Sequence, residues 1–482
     1  MRCFAVGRGE IRARADVNYA ANSIIFQKGY SRARFPLTPI RDLEPYVQYG
    51  ISTLASDEPL GIPILRMNNI QDDGWDLSDL KYIELSETEA GCYELQKGDI
   101  LFNRTNSKEL VGKCAVFQEE GRWVFASYLI RLRVNQSKTL PDFVSAFLNT
   151  KAGRIQIDRV SRQIIGMSNI NAEEIRDLVI PLPQDIEKQR ALIVQLEGAR
   201  ESRKRKLAQA DVLLAGLDGF VLDGLGLTLP PPEASAVQCW GARLRETVSE
   251  RRLDPHRFAP RTRKLRQMIE NGRFKTRPLA TLVGKPVSGD WGVAADECDA
   301  DVEYVECLVI RATEFDSRQN LILDNDRVRF RYLERESFEI RSLQAGDIVL
   351  EKSGGGPRQP VWRVAMIEPD HLKDRRLSFT NFVMRLRPTG DVLPVYLWAF
   401  LGLVNRCGLT ESMQAQTHGI RNLKLDEYLP QPVPIPDSKA QEKIAAEVVR
   451  RREEARRLRA EATKGWEEAK ANFERQLLGG GA

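Results

Sequence analysis

The sequence predicts an α+β fold in which two tandem, mixed, β-rich domains are combined with two long helices that pair with each other. The first observation is that five colinear blocks occur twice, with Gly98 of the first copy matching Gly346 of the second. The second is that each copy closes on a Pro-x-Pro strand, at 181–183 and at 434–436. The third is that each strand leads into a long stretch whose apolar residues lie three and four positions apart, as on one face of a helix.

The two predicted helices cover residues 184–222 and 437–482. Each carries a narrow apolar stripe, and such a stripe is buried best against a second helix of the same kind. The stripe residues are Leu192, Leu196, Ala199, Leu207, Ala210, Leu214, Leu217 and Val221 in the first helix, and Ile444, Val448, Ala455, Leu458, Ala462, Ala469, Phe473 and Leu477 in the second. We therefore expect the two helices to pack against each other.

The duplicated blocks predict the strands of each domain. A Gly-Asp turn precedes an apolar run in both copies, and the following strands alternate as half-buried strands do. The matching blocks are 95–102 with 343–350, 111–116 with 361–366, 125–133 with 379–387, 140–141 with 393–394, and 181–183 with 434–436. The predicted boundaries are a first domain at 1–183, a helix at 184–222, a linker at 223–242, a second domain at 243–436 and a helix at 437–482.

Length and composition limit the class of protein. A chain of 482 residues is too long for one core, and an apolar fraction of 42% is ordinary for a globular protein. The net charge of +5 permits DNA as a partner without requiring it. No run approaches the roughly 18 apolar residues of a membrane span. Seven scattered cysteines are typical of reduced thiols, which predicts a cytoplasmic location. With three histidines and no Cys-x-x-Cys pair, we expect no metal and no cofactor.

Motifs for catalysis are missing from the sequence. An adenine methyltransferase needs an Asn/Asp-Pro-Pro-aromatic loop, and Asp254-Pro255-His256-Arg257 lacks the second proline. No Gly-x-x-x-x-Gly-Lys-Ser/Thr loop for nucleotide phosphates occurs. These absences argue against an adenine methyltransferase and an ATP-driven translocase, whereas spacing alone leaves nuclease carboxylates open among the 67 acidic residues.

Two Gly-Asp-Ile turns, each followed by a Pro-x-Pro strand and a long helix with Glu187-Lys188-Gln189 or Ala440-Gln441-Glu442, resemble the specificity subunit of type I restriction-modification systems. The resemblance implies two target-recognition domains, each reading one half of a bipartite site on double-stranded DNA. It implies an antiparallel helical spacer (a coiled coil) that docks two methyltransferase subunits, through which restriction and translocase subunits join. It also implies that catalysis belongs to those partners.

The residues predicted to contact DNA are polar side chains that follow the Gly-Asp strands or precede the closing strands, because forked donors match phosphates and base edges. Ordinary polar turns are the alternative for any one of them. The candidates are Arg66, Asn68, Arg104, Thr105, Asn106, Ser107, Lys108, Arg162, Gln163, Ser168, Asn169, Arg311, Lys352, Ser353, Arg358, Gln359, Gln416, Thr417, His418, Arg421 and Asn422.

The residues predicted to dock a partner lie on the two long helices. They are Gln189, Gln441, Arg452, Arg456 and Trp466. Glutamates interleave with the arginines of 450–459, a charge pattern that favours a partner-facing surface over a phosphate track. Trp466 has a core contact as its alternative.

Two other functions remain open from the sequence. One is a stand-alone DNA-binding protein or repressor that uses its duplication to bind two sites without enzyme partners. The other is a coiled-coil scaffold with no role on DNA. Dependence of site-specific DNA binding on a methyltransferase would separate the three.

Overall fold

The computed structural model describes residues 26–27, 29–71, 74–106, 110–164, 167–230, 241–250, 255–316, 318–324, 329–355, 361–417 and 420–479. The chain forms two compact units, Met1–Ala208 with Leu458–Ala482 (unit 1) and Gln209–Arg457 (unit 2). Both units contain helices and strands, so the α+β class predicted from the sequence is confirmed.

The strands of unit 1 are short, and most belong to antiparallel sheets. They are β1 (Leu37–Pro39), β2 (Tyr46–Tyr49), β3 (Ile62–Leu65), β4 (Ile70–Gln71), β5 (Gly74–Trp75), β6 (Lys81–Ile83), β7 (Ile100–Asn103), β8 (Thr105–Asn106), β9 (Cys114–Val116), β10 (Val124–Phe125), β11 (Leu129–Arg133), β12 (Arg162–Ile164), β13 (Met167–Asn169) and β14 (Val179–Pro181). The main sheet has the order β2-β11-β7-β9, and three-stranded sheets have the orders β10-β3-β6 and β12-β13-β8. Two-stranded pairs are β1-β14 and β4-β5.

The helices that begin in unit 1 are α1 (Glu87–Tyr93), α2 (Pro141–Leu148), α3 (Lys151–Val160), α4 (Ala172–Arg176) and the long α5 (Ile186–Leu225). Pro141 stands at the first position of α2, where its missing N–H costs nothing. Phe143 and Phe147 of α2 are fully buried and pack with strand residues of the main sheet. Each such ring contributes on the order of 2 kcal/mol by burial. Phe143 also meets Phe473 edge to face at 5.7 Å between ring centroids.

The strands of unit 2 are β15 (Thr276–Pro278), β16 (Val287–Ser288), β17 (Tyr304–Ile310), β18 (Phe330–Glu334), β19 (Ile348–Glu351), β20 (Ser353–Gly355), β21 (Val364–Met366), β22 (Leu377–Phe379), β23 (Val383–Leu386), β24 (Gln414–Thr417), β25 (Ile420–Leu423) and β26 (Pro432–Pro434). Their sheets have the orders β16-β23-β19-β21, β22-β17-β18, β24-β25-β20 and β15-β26. Apart from the β4-β5 pair, these orders repeat those of unit 1 strand for strand, including a parallel pair of strands in each unit, β10-β3 and β22-β17.

The helices that begin in unit 2 are α6 (Leu244–Glu250), α7 (Pro255–Phe258), α8 (Pro260–Glu270), α9 (Arg335–Arg341), α10 (Pro394–Arg406), α11 (Leu425–Tyr428) and the long α12 (Ser438–Leu478). Helix α10 corresponds to α2 and is buried along most of its length. None of the helices within the described ranges is both long enough and apolar enough to cross a membrane.

The Gly-Asp blocks form the same buried turn in both units. Gly98 and Gly346 have φ of 90° and 89°, a left-handed conformation that glycine adopts without strain. Asp99 is fully buried and accepts hydrogen bonds from the Gln96 backbone N–H and from Arg133 Nε (2.6 Å) and Nη2 (2.8 Å).

In unit 2, Asp347 accepts in the same way from the Gln344 backbone N–H and from Arg387 Nε (2.7 Å) and Nη2 (2.8 Å). The aspartate hydrogen bonds raise the pKa of both arginines. In each unit the aspartate of the Gly-Asp block is buried and pairs with the second arginine of the Arg-Leu-Arg block. This ion pair explains why both blocks recur.

The two long helices contribute apolar side chains to the core of each unit. In unit 1, α5 residues Leu192 and Leu196 belong to the same buried cluster as Phe473 and Leu477 of α12. Lys206 Nζ of α5 pairs with Glu461 of α12 at 2.9 Å, and Gln476 donates to Gln195 at 2.9 Å.

In unit 2, Leu217 and Val221 of α5 share a buried cluster with Ile444 and Val448 of α12. Arg451 Nη1 of α12 donates to the Gly216 carbonyl of α5 at 2.9 Å. The apolar stripes named from the sequence thus supply these buried contacts.

Candidate nucleic-acid interface

Each unit contains one small sheet rich in polar residues, and the two sheets are built alike. In unit 1, β8 pairs with β13, so that Thr105 lies opposite Asn169 and Asn106 lies opposite Ser168. Strand β12 pairs with the other edge of β13. Residues 104–106 and 162–169, which were predicted as separate DNA-contacting segments, are therefore brought together. We call this three-stranded sheet the first polar sheet.

A side-chain hydrogen bond closes the first polar sheet. The Thr105 hydroxyl donates to Asn169 Oδ1, and Thr105 is only 7% exposed. Ser168 is also buried. Because these groups are turned into the protein, Thr105 and Ser168 hold the sheet in place instead of presenting a donor to a ligand.

Arg104 immediately precedes β8 and is half-buried. Its guanidinium lies over the Tyr49 ring, 4.9 Å from the centroid, and Nη1 donates to the Ser127 carbonyl at 3.4 Å. Its Nε has no hydrogen-bond partner among the residues that the structure describes. Arg104 is thus held by an aromatic face while part of its donor capacity remains unused.

The second polar sheet consists of β20, β25 and β24 of unit 2. The Ser353 hydroxyl donates to Asn422 Oδ1, which repeats the bond between Thr105 and Asn169. Arg421 lies opposite Gly355 on one side and Gln416 on the other. Lys352 precedes β20, as Arg104 precedes β8, and its Nζ donates to Ser288 Oγ at 2.6 Å. Burial lowers the pKa of Lys352.

Some predicted positions can be placed only in part. The structure gives the strand position of Arg162, Gln163, Gln416 and Thr417, but the description does not extend to their side chains. Ser107, Lys108, Arg358, Gln359 and His418 lie outside the described residues.

Arg66 and Arg311 occupy equivalent turns away from the polar sheets. Arg66 Nη2 donates to the Asp79 carboxylate and carbonyl at 2.9 Å. Arg311 Nη2 pairs at 2.7 Å with Glu314, which is 1% exposed. Both arginines therefore have a structural role in these turns. Asn68, in the first turn, has an exposed side chain.

Two of the predicted docking residues are buried glutamines. Gln189 Oε1 accepts from the Thr139 hydroxyl and the Leu140 N–H, and Nε2 donates to the Pro183 carbonyl at 2.9 Å. Gln441 makes the equivalent bonds to the Leu393 N–H and the Pro436 carbonyl, both at 3.0 Å. These side chains fasten each long helix to its domain, so they do not form part of a docking surface.

The other docking candidates differ in exposure. Arg456 Nη2 pairs with Glu368 at 2.9 Å and stays half exposed. The Arg452 guanidinium lies over the Trp398 ring, 4.2 Å from the ring centroid. Burial lowers the pKa of Arg452 to about 10. Trp466 is 5% exposed, and its indole N–H has no acceptor within the described part of the chain.

Exposed aromatic residues beside the polar sheets were missed from the sequence. Tyr49 and Tyr128 are 41% and 49% exposed next to Arg104, whose backbone N–H donates to the Tyr128 carbonyl. In unit 2, Trp291 and Phe382 are 42% and 36% exposed and meet at 5.9 Å. A single aromatic residue gives no sequence signal of exposure, since large aromatic side chains are highly buried on average.

Within the described residues, no group of three or more His, Cys, Asp or Glu side chains could hold a metal ion. The polar sheets instead combine arginine, lysine, amide and hydroxyl groups with exposed aromatic rings. Such a set can donate to phosphates and base edges and can contact bases through apolar faces.

The first polar sheet falls within residues 51–195, which match the family model described as type I restriction modification DNA specificity domain. Over this segment the chain is therefore similar to proteins that carry this DNA specificity domain. The relationship to type I specificity subunits predicted from the sequence is confirmed.

Individual relatives cover a smaller part of the chain. The type I restriction enzyme EcoKI specificity subunit of Escherichia coli strain K12 is 29% identical over 137 residues, which is 28% of this chain and 29% of the relative. The type I restriction enzyme StySPI specificity subunit of Salmonella potsdam is 29% identical over 124 residues, 25% of this chain and 27% of the relative. The chain thus spans less than a third of the length of the curated relatives it matches.

A solved structure described as the basis of complex assembly and conformational transition of the type I R-M system contains a similar chain. It has a TM-score of 0.46 and 12% sequence identity, and the alignment covers 92% of this chain and 96% of that one.

Proposed function

We propose that the chain is the DNA sequence-specificity subunit of a type I restriction-modification complex. Each polar sheet contacts one half of a bipartite site on double-stranded DNA, and the candidates on the two sheets read or position that half. The observation that carries the proposal is the repeated polar sheet, since the first copy lies within the segment that matches the specificity-domain family.

The chain itself performs no chemistry in this proposal and uses no cofactor. Two methyltransferase subunits dock on it, restriction and translocase subunits join through them, and the complex acts in the cytoplasm. Support comes from the names of the relatives, which are specificity subunits of type I restriction enzymes.

The two recognition domains are separated, in this proposal, by an antiparallel pair of long helices. The lengths of α5 and α12, 40 and 41 residues, support a spacer of this kind. The contacts within each unit support it too, because higher-numbered residues of α5 meet lower-numbered residues of α12.

The test is DNA binding by the purified full chain, measured by fluorescence anisotropy with and without the methyltransferase encoded beside it. We expect tight, site-specific binding only when both proteins are present. Equal binding by the chain alone would indicate a stand-alone DNA-binding protein instead. No dependence on DNA sequence in either case would refute a specificity function.

A further inference from the structure

A pocket of about 180 Å³ lies in unit 1 between α2, α5, α12 and the edge strand β9. Its apolar wall includes Ile193 and Leu196, and its polar wall includes Asp142, Arg200 and Trp466. None of the proposed DNA-contacting groups lines it. The pocket is therefore a second, separate site of unit 1.

Two donors in this pocket lack acceptors. Trp466 is 5% exposed, and neither its Nε1–H nor the Arg200 Nε–H has a hydrogen-bond partner among the described residues. The Arg200 guanidinium lies 5.9 Å from the centroid of the Trp466 ring. Burial raises the pKa of Asp142, against the opposing effect of Arg200. Leaving a buried donor without an acceptor is unfavourable, so an acceptor in this pocket would be stabilising.

Unit 2 shows which acceptors the terminal guanidinium nitrogens of the counterpart of Arg200 contact. Arg452 follows Gln441 at the same interval at which Arg200 follows Gln189. Through Nη1 and Nη2, Arg452 donates to the carbonyls of Arg318 and Gln319, at 3.3 and 3.4 Å, and to Asn320 Oδ1, whereas its Nε, like that of Arg200, has no partner among the described residues. The acceptors are therefore three carbonyl oxygens of one loop.

The space beside that arginine is also filled in unit 2. Trp398 of α10 lies under Arg452, and its Nε1 donates to the Val364 carbonyl. The corresponding residue of α2 is Ser145, whose hydroxyl donates to the equivalent Cys114 carbonyl at 3.3 Å. Ser145 lines the pocket of unit 1, whereas the corresponding residue of unit 2 is a tryptophan that packs against Arg452.

The charges at the pocket of unit 1 favour a neutral occupant. Arg200 and Lys470 line it together with Asp142 and Glu197, and Lys470 already pairs with Glu467 at 2.6 Å. A carboxylate or phosphate would meet two acidic residues. A peptide or side-chain amide can accept from the indole and guanidinium and donate its own N–H to a carboxylate.

We propose that this pocket binds a protruding loop of the methyltransferase partner, whose backbone or Asn/Gln carbonyl accepts from Trp466 Nε1 and Arg200. The inference rests on the proposed function, because the partner is the one named there. It adds a defined contact, and it makes unit 1 and unit 2 unequal in how they engage that partner.

The decisive variant is Trp466→Phe, which removes the N–H donor and keeps an aromatic ring. We expect its affinity for the methyltransferase subunit, measured by calorimetry with the full chain, to fall about tenfold, as for one lost buried hydrogen bond. The matched control is Trp398→Phe, the same change in unit 2, where the indole is bonded within the chain. We expect that control to bind the methyltransferase as the unmodified chain does.

A second measurement does not depend on the stability of a variant. The indole N–H signal of Trp466, assigned by its loss in Trp466→Phe, should move downfield and exchange more slowly with solvent when the methyltransferase is added. A signal that is already protected in the isolated chain would show that the chain fills its own pocket and would overturn the proposal. An unchanged signal in a formed complex, or equal binding by Trp466→Phe, would overturn it as well while leaving the proposed function intact. Absence of any complex with the unmodified chain would refute both.

Discussion

The hydroxyl of Thr105 donates a hydrogen bond to the side-chain oxygen of Asn169, across 64 residues of sequence. Ser353 and Asn422 repeat this bond in unit 2 across 69 residues. In each unit the bond ties the strand after the Gly-Asp turn to the polar hairpin that follows much later. It therefore fixes the position of each polar sheet relative to its domain.

Replacing Thr105 with valine should loosen the first polar sheet. The side chain keeps its shape but loses the donor, so unit 1 should be destabilised by about 1 kcal/mol in urea unfolding. In DNA-binding assays with the methyltransferase present, discrimination at one half-site should weaken severalfold. Ser353→Ala is the counterpart and should affect the other half-site. If both variants weaken the same half-site, the assignment of one sheet to each half is wrong.

Arg421 is the described candidate that lies in the middle of the second polar sheet. Arg421→Ala should lower the affinity for the cognate site about tenfold, which is at the lower end of what one arginine-base contact provides. Discrimination at the other half-site should change little. Competition binding against single-base variants of the target measures both effects. Lys373→Ala, an exposed residue of unit 2 paired with Asp370, is the control. Equal losses in the two variants would indicate a general charge effect.

Removing one partner of a buried ion pair should be far more damaging. Asp99→Asn removes the fully buried carboxylate that pairs with partly exposed Arg133 and with buried Arg131, and such changes cost about 3 kcal/mol or more. Chemical unfolding followed by circular dichroism measures the loss. Glu87→Gln, which removes one of the two carboxylate partners of exposed Arg122, should leave the unfolding midpoint unchanged. Similar midpoints for both variants would contradict the structural role of Asp99.

Unit 2 should lose stability in mild acid through His371. Burial lowers the pKa of His371 below its ordinary value of 6.5, and its Nδ1 accepts from the Glu368 N–H at 3.1 Å. The unfolded chain therefore binds the proton more readily than the folded one, so stability is full above pH 6.5 and falls as the pH drops below it. The melting temperature should decrease between pH 7 and 5.5. His371→Asn keeps an acceptor without a titrating group and should show a smaller decrease.

The spacer hypothesis predicts a change in the gap between half-sites when the long helices are lengthened together. Four residues inserted after Ala208 and four inserted after Arg457 fall where the chain passes from one unit to the other, so contacts within each unit are kept. They add about 6 Å of helix, or about two base pairs. Mapping methylated sites with this variant should give a wider gap and unchanged half-sites. An unchanged gap would count against the spacer.

The internal repeat made much of the fold predictable. Pro-x-Pro strands and apolar stripes placed helices at 184–222 and 437–482, and the structure has them at Ile186–Leu225 and Ser438–Leu478. Boundaries moved because helix ends depend on local capping and packing. The β4–β5 hairpin of unit 1, whose counterpart in unit 2 is a single antiparallel bridge between Phe315 and Leu321, was not among the repeated sequence blocks.

The site was less predictable, because a polar residue in a loop looks the same whether it faces solvent or the protein. Gln189 and Arg311 appeared available in the sequence, yet each is satisfied by neighbouring groups. Asp99 and Arg133 were noted only as parts of repeated blocks, since their pairing joins two strands distant in sequence. Arg104 and Tyr49 likewise meet only after folding.

The Gly-Asp turn explains how two halves of one gene can diverge without losing a common skeleton. A side chain at Gly98 or Gly346 would be strained in the left-handed conformation. Replacing the adjoining aspartate would leave an arginine guanidinium without its carboxylate partner. Few substitutions are therefore tolerated at these positions, whereas many are tolerated along the edges of the polar sheets. After a tandem duplication, the surface side chains of the two domains can therefore become different while both domains keep the same fold around this turn.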